Sequence, residues 1–182
     1  MLKWLWLTVV FILLDQITKA MASSELVLYQ SVSVTSMLDM TLMHNEGAAF
    51  SFLSDAGGWQ RWFFSVIAIG VSLYIVYWLK NLKQREHFQA ASLSLILSGA
   101  VGNVIDRLIH GYVVDFIDFY YQPAQAEQCI PFFSPSFQMA NFSCHWPAFN
   151  VADIAISVGV TLLIIDSLRS GIRHKKMNKA RA

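Results

Sequence analysis

Two aspartates in this chain have no basic residue close by in sequence. Asp115 sits in Val113-Val-Asp-Phe116 among apolar side chains, and Asp153 closes Phe149-Asn-Val-Ala-Asp153. A carboxylate pair can hydrolyse a peptide bond without a metal or a nucleophilic side chain. Brought close together, both cannot ionise, so they share one proton. The ionised member takes a proton from water while the protonated member polarises the scissile carbonyl. Each aspartate also has a plainer reading. If Asn150 caps a helix, Asp153 is an acid in its first turn, where the helix dipole favours a carboxylate. Asp115 is then an exposed loop acid. Two unpartnered acids at one level make the dyad the sharper reading.

The other polar groups read as support. Asp15 and Lys19 stand four residues apart, acid first, which favours a helical ion pair and a structural clasp. Asn103 and Arg107 share a helix face with Asp106 beside them, and Arg107 reads as the neutraliser of Asp106. Asn45 comes to the same level from a connection. Ser94, Ser98 and Gly102 form a ridge of small residues suited to helix packing. A Ser23–Lys19 dyad ranks below the aspartates, because Asp15 keeps Lys19 protonated. His44, His87, His110, His145 and His174 make no H-E-x-x-H face, and no G-x-S-x-G elbow occurs. No metal and no cofactor are expected.

These residues need elements to hold them. The chain has 182 residues, 55% hydrophobic and only 14% charged, against about 25% charged in a soluble domain. That composition argues against a soluble enzyme, a nucleic-acid binder and a disordered chain. A bilayer core about 30 Å thick needs about 20 helical residues. Four segments qualify, at about 3–22, 61–79, 88–107 and 150–168, in one integral membrane domain. The first resembles a secretory signal, but Asp15 and Lys19 interrupt it, so it reads as a retained helix. Charged groups in a span are expensive unless paired or hydrated, yet Asp15, Lys19, Asn103, Asp106, Arg107 and Asp153 all fall near the same ends of these helices. Ten of the 13 basic residues flank the opposite ends, which puts both termini in the cytoplasm. The connections at about 23–60 and 108–149 then face outward.

The outer connections carry strand-like patterns at Val27–Val34, Leu38–Met43 and Tyr112–Phe119, and Gly57-Gly58 signals a short helix near 54–60. The stretch from Tyr121 to Cys144 is rich in Phe, Pro and Gln and has no basic residue. Cys129 and Cys144 lie in or beside it, too few for a disulfide scaffold and without zinc spacing. A bridge between them, favoured by an oxidising outer compartment, would order this stretch as a lid or guide above the aspartates.

In order along the chain, Asp15-Gln-Ile-Thr-Lys19, Asn45-Glu-Gly-Ala-Ala-Phe50, Gly102-Asn-Val-Ile-Asp-Arg107, Val113-Val-Asp-Phe116 and Phe149-Asn-Val-Ala-Asp153 resemble the motifs of signal peptidase II, the lipoprotein signal peptidase family. The resemblance implies four transmembrane helices with a small periplasmic β-cradle and a short periplasmic helix. It implies a multi-pass aspartic endopeptidase of the bacterial inner membrane, with its active site facing the periplasm. Such an enzyme cuts diacylglyceryl-modified prolipoproteins just before the lipidated cysteine. The family's catalytic aspartates match Asp115 and Asp153, and its supporting residues match Asp15, Lys19, Asn45, Asn103, Asp106, Arg107 and Asn150. The partners implied are prolipoproteins and membrane lipids, with no nucleic acid, for a monomer. The chain departs from the family in about twenty extra residues near 121–144.

Two rival classes remain open at this point. Intramembrane Asp, Lys and Arg also mark ion pathways, as in a small proton-coupled transporter. Against that, the polar layer lies at one face and no inverted repeat is visible. A non-enzymatic assembly factor would use the same acids as structural glue.

Overall fold

The computed structural model describes residues 1–47, 58–123, 129–138 and 141–181. Helix α1 (Leu5–Glu25) follows one 3-10 turn at Leu2–Trp4 and leads to strands β1 (Ser31–Thr35) and β2 (Leu38–Asn45). Helices α2 (Gln60–Asn81) and α3 (His87–Ile109) come next. Strands β3 (Val113–Tyr121), β4 (Ser134–Gln138) and β5 (Asn141–His145) precede helix α4 (Val151–Arg181). All four helices are long and apolar enough to cross a membrane.

The helices fall on the apolar runs, and their ends differ from expectation at two places. Helix α1 continues to Glu25. Helix α4 continues past 168 to Arg181, through a tail rich in the good helix formers Arg, Lys, Met and Ala. The short helix expected near 54–60 lies mostly outside the described residues.

Helix α3 is the hub. Of its apolar stretch 61% is buried inside the protein, against 17–22% for the other three helices. Ile75 and Leu79 of α2 pack with Ala90, Leu93 and Leu97 of α3 in the main buried cluster. Leu13 and Ile17 of α1 and Val66, Leu73 and Tyr77 of α2 instead point outward and are exposed. Apolar surface of that extent is unfavourable in water, and hydrocarbon removes the penalty. Close approach of α1 and α4 to α3 depends on small residues. A Cβ at Gly102 would stand 2.6 Å from Asp15 Oδ2, and one at Gly99 would run into the Ala152 carbonyl. Ser94 and Ser98 of the expected ridge are buried, and the Ser94 carbonyl accepts a hydrogen bond from Thr8 at 3.0 Å.

Among the described residues, five strands form one antiparallel sheet in the order β1-β2-β3-β5-β4. The Tyr121–Cys144 stretch is therefore not a plain connection: it supplies β4 and β5, which extend the sheet along the far edge of β3. Its patterning hides this, because Phe, Pro and Ser in β4 do not alternate in hydropathy. Cys129 and Cys144 are joined by a disulfide, with Cα atoms 5.5 Å apart. Strand β3 also pairs with the segment entering α4. The Phe149 carbonyl accepts from Phe116 at 3.1 Å and Ile117 at 2.9 Å, and Phe149 N–H donates to Ile117 at 3.0 Å. This bridge brings the start of α4 beside Asp115.

Candidate active site

Asp115 is a strand residue directly opposite Met43 of β2. Side chains alternate across a strand, so Asn45, two residues from Met43, shares its face. Asn45 Nδ2 donates to Asp115 Oδ2 at 3.0 Å. Asn150 Nδ2 donates to the other oxygen, Oδ1, at 2.7 Å. Asp115 is 3% exposed, and no Lys or Arg forms an ion pair with it among the described residues. Its carboxyl is pushed up to about 7. Burial is the main cause, and the negative charge of Asp153 adds to it, against the amide bonds from Asn45 and Asn150 and the more distant Lys19.

Asp153 is fixed by the start of its own helix. Asn150 Oδ1 accepts from the Asp153 N–H at 3.1 Å, and Asp153 Oδ2 accepts from the Asn150 N–H at 3.2 Å. This reciprocal pair is a capping box, with Asn and Asp in the places of Ser and Glu. The other oxygen, Oδ1, accepts from Asn103 Nδ2 at 2.9 Å. Asn150 thus caps the helix with its oxygen and holds Asp115 with its nitrogen.

Beneath this pair lies a second group of carboxylates built around one cation. Lys19 Nζ stands 2.9 Å from Asp15 Oδ2 and 2.9 Å from Asp106 Oδ2, and it donates to Asn103 Oδ1 at 2.9 Å. An ammonium has three donors, and all three are committed. Lys19 is therefore no general base for Ser23, which is exposed. Asp15 Oδ1 accepts the Ala152 N–H at 2.8 Å, so α1 contributes a carboxylate to the N-terminus of α4. Asp106 Oδ2 also accepts the Val114 N–H at 3.1 Å, which ties the end of α3 to β3.

Arg107 is placed differently from the sequence reading. It does not pair with Asp106, because adjacent residues on a helix do not face each other and Lys19 reaches Asp106 across the Gly102 contact. Arg107 Nη2 donates to the Gly47 carbonyl at 3.1 Å and Nη1 to the Asn103 carbonyl at 3.4 Å. Its guanidinium interacts electrostatically with Asp153 first, then with Asp115 and Asp106. Its Nε has no partner among the described residues.

Sequence reasoning missed two participants. Gln16 Nε2 donates to Asp106 Oδ1 at 2.9 Å and lies 3.2 Å from Asp15 Oδ2, a bridge that no helical spacing signals. Asp118 and His145 are the second: the His145 Nδ1–Asp118 Oδ1 distance is 2.9 Å. His145 comes from the added strands, so only the sheet pairing shows the contact. No group of three or more His, Cys, Asp or Glu among the described residues is arranged to hold a metal ion.

Two cavities open at the aspartates. One of about 450 Å³ is lined by Asp153, Phe149 and the Ile154, Ile156 and Val158 side chains of α4. The other, about 380 Å³, is lined by Asp115, Asn45, Glu46, Tyr29 and His145. Trp146, Pro147 and Ala148 form a wall common to both.

The family model described as signal peptidase (SPase) II matches residues 7–169. A lipoprotein signal peptidase of Alteromonas mediterranea is 44% identical over 98% of this chain and 87% of its own length. One of Teredinibacter turnerae is 46% identical over 92% of this chain and 88% of its own length. A bacterial membrane enzyme solved by the in meso method at 2.3 Å has a TM-score of 0.72 and 30% identity, covering 93% of this chain and 89% of that one. With the matched region holding both aspartates, the Lys19 clasp and all three asparagines, the chain belongs to the signal peptidase II family.

Proposed function

We propose that this chain is a membrane aspartic endopeptidase that removes the signal peptide from diacylglyceryl-modified prolipoproteins, cutting just before the lipidated cysteine. The observation that carries the reading is the pair Asp115 and Asp153: a buried and a half-buried carboxyl that feel each other's charge, held by asparagine amides with no salt-bridged cation among the described residues. The transporter alternative finds no support in a chain of this family.

The roles follow from the surroundings. Asp153 lies in the first turn of α4, where the helix dipole suits a carboxylate and both of its oxygens accept N–H hydrogen bonds. Asp115 retains its proton up to about pH 7. Asp153 therefore takes a proton from the attacking water, and Asp115 donates its proton to the scissile carbonyl oxygen. Water oxygen bonds to the carbonyl carbon. When the tetrahedral intermediate collapses, the C–N bond breaks, Asp153 passes its proton to the leaving nitrogen, and Asp115 recovers its own from the hydroxyl. One chain supplies every group, so a monomer suffices.

The substrate class suits a site at a helix end. The signal peptide's apolar helix lies against the bundle, and the diacylglyceryl chains stay in lipid while the scissile bond reaches the carboxyls. Anchoring of this kind fixes depth and orientation before reaction. Extracting the lipid would forfeit about 0.8 kcal/mol per CH₂. Ten basic residues at the opposite helix ends support cytoplasmic termini and a periplasm-facing site in the inner membrane.

The test is cleavage of a diacylated prolipoprotein peptide by the purified full-length chain in detergent. Cleavage just before the modified cysteine, surviving EDTA, is expected. An intact peptide, or activity lost on chelation and restored only by zinc, would overturn the reading.

A further inference from the structure

The two cavities differ in chemistry and share one wall. The Asp153 cavity continues along apolar α4 residues that belong to a membrane span. The Asp115 cavity lies among strands outside the spans, where Asn45, Glu46, Ser134 and His145 bring polar groups to a wall that also holds Met43, Trp146, Pro147 and Ala148. A peptide bond set between the two carboxyls must send its chain out on both sides. The apolar signal peptide before the bond fits the α4 side, while the part after the bond begins with the lipidated cysteine, whose acyl chains return to the lipid, and continues as polar polypeptide toward the sheet side.

We infer that the Asp115 cavity receives the polypeptide just after the lipidated cysteine, and that Glu46 with the added strands' His145 and Ser134 makes it favour small polar or basic residues there over acidic ones. The inference rests on the peptidase reading above and adds a specificity to it.

Charge carries this selection. Among the described residues that line the cavity none is Lys or Arg, and with Asp115 keeping its proton up to about pH 7, Glu46 supplies the negative charge. His44 offers no lasting cation, because burial and the neighbouring His110 lower its pKa. His145 brings with it the buried carboxylate of Asp118, so that pair adds no net positive charge. An incoming carboxylate therefore meets repulsion without a partner.

The wall is also rigid. His145 Nδ1 bonds Asp118 while Nε2 lies 2.8 Å from Ser143 Oγ, and Thr41 donates to Asp118 Oδ2 at 3.0 Å. The bond pattern is that of a hydrolase triad, but Ser143 is 7% exposed and does not line the cavity. What the chain of bonds does is hold the imidazole, which also stacks on Tyr120 with ring centres 5.4 Å apart. The neighbouring Cys144 is tied to Cys129.

The experiment uses the full-length chain in detergent at low salt and three diacylated peptides, with Ser-Ser, Lys-Lys or Glu-Glu after the modified cysteine. The Glu-Glu peptide should show kcat/KM about threefold below the other two, the size expected for repulsion by the exposed Glu46 carboxylate. Added salt should narrow the gap. Ser134 is exposed, so its replacement tests charge without disturbing packing. Ser134→Lys should raise the Glu-Glu to Ser-Ser ratio, whereas Ser134→Gln should leave it unchanged. Equal cleavage of all three peptides by the native chain, or equal shifts from the Lys and Gln variants, would overturn the inference and leave the peptidase reading intact. If no peptide is cut, the peptidase reading fails and takes the inference with it.

Discussion

Two sets of carboxyls lie within one polar layer, and they are held by different chemistry. Asp15 and Asp106 share the Lys19 ammonium at 2.9 Å each. Asp115 and Asp153 are held by Asn45, Asn103 and Asn150, whose amides bear no charge. A cation neutralises an acid and fixes its ionised form. An amide fixes an acid's position and favours its ionised form less than a cation does, so burial keeps the Asp115 proton in play. The first set is therefore suited to joining α1, α3 and the start of α4, and the second to moving protons. Asn103 links them, donating to Asp153 through its nitrogen and accepting from Lys19 through its oxygen.

Mutation of the amide-held pair should give the largest effect. Asp115→Asn and Asp153→Asn should each lower kcat on the diacylated peptide by at least about 10²–10⁴-fold, with the protein inserting and accumulating normally. If Asp15→Asn or Asp106→Asn lowered kcat as far while thermal stability held, the division between the two sets would collapse.

The cation-held set should instead lose stability. Lys19→Met strands two buried acids, a change of the kind that costs about 3–5 kcal/mol. Asp15→Ala leaves Lys19 its bond to Asp106 and should cost less. The double variant Asp15→Ala, Lys19→Met should recover stability relative to Lys19→Met alone. Thermal unfolding in detergent measures all three, and strict additivity would show that Asp15 and Lys19 do not couple.

The pH dependence sharpens the comparison further. The Asp115 pKa of about 7 in the folded chain exceeds its ordinary 3.8. The unfolded chain releases that proton first, so the Asp115 contribution to stability is full below about pH 4. It falls as pH rises and levels off above about 7. The stability difference between Asp115→Asn and the native chain should accordingly grow in favour of the variant between pH 4 and pH 7. Cleavage by the native chain should decline as pH rises through about 7, as the proton donor is lost. A difference independent of pH would place no titrating proton on Asp115.

The smallest effect on chemistry belongs to the disulfide. Closing a loop across 15 residues stabilises by about 3 kcal/mol in the chain-entropy account. Cys129→Ser with Cys144→Ser should lower the melting temperature and leave cleavage of the Ser-Ser peptide within about twofold, a change below the tenfold step of 1.4 kcal/mol. A loss as large as that of the dyad variants would place the added strands in the chemistry itself.

The sequence by itself determined the four apolar runs, the level at which Asp15, Lys19, Asn103, Asp106, Arg107 and Asp153 gather, and the capping position of Asn150. Hydropathy and helical period are local properties, legible over about 20 residues. The strand patterns around Leu38–Met43 and Tyr112–Phe119 were legible for the same reason. The partner of each acid was not. Lys19 rather than Arg107 takes Asp106, because Gly99 and Gly102 let α1 and α4 close onto α3. Asn150 reaches Asp115 because Phe149 pairs with β3. The stretch after Tyr121 becomes two strands because the edge of β3 offers unpaired backbone groups. Each of these outcomes joins segments far apart in the chain through contacts of a few ångströms, and no local pattern records them.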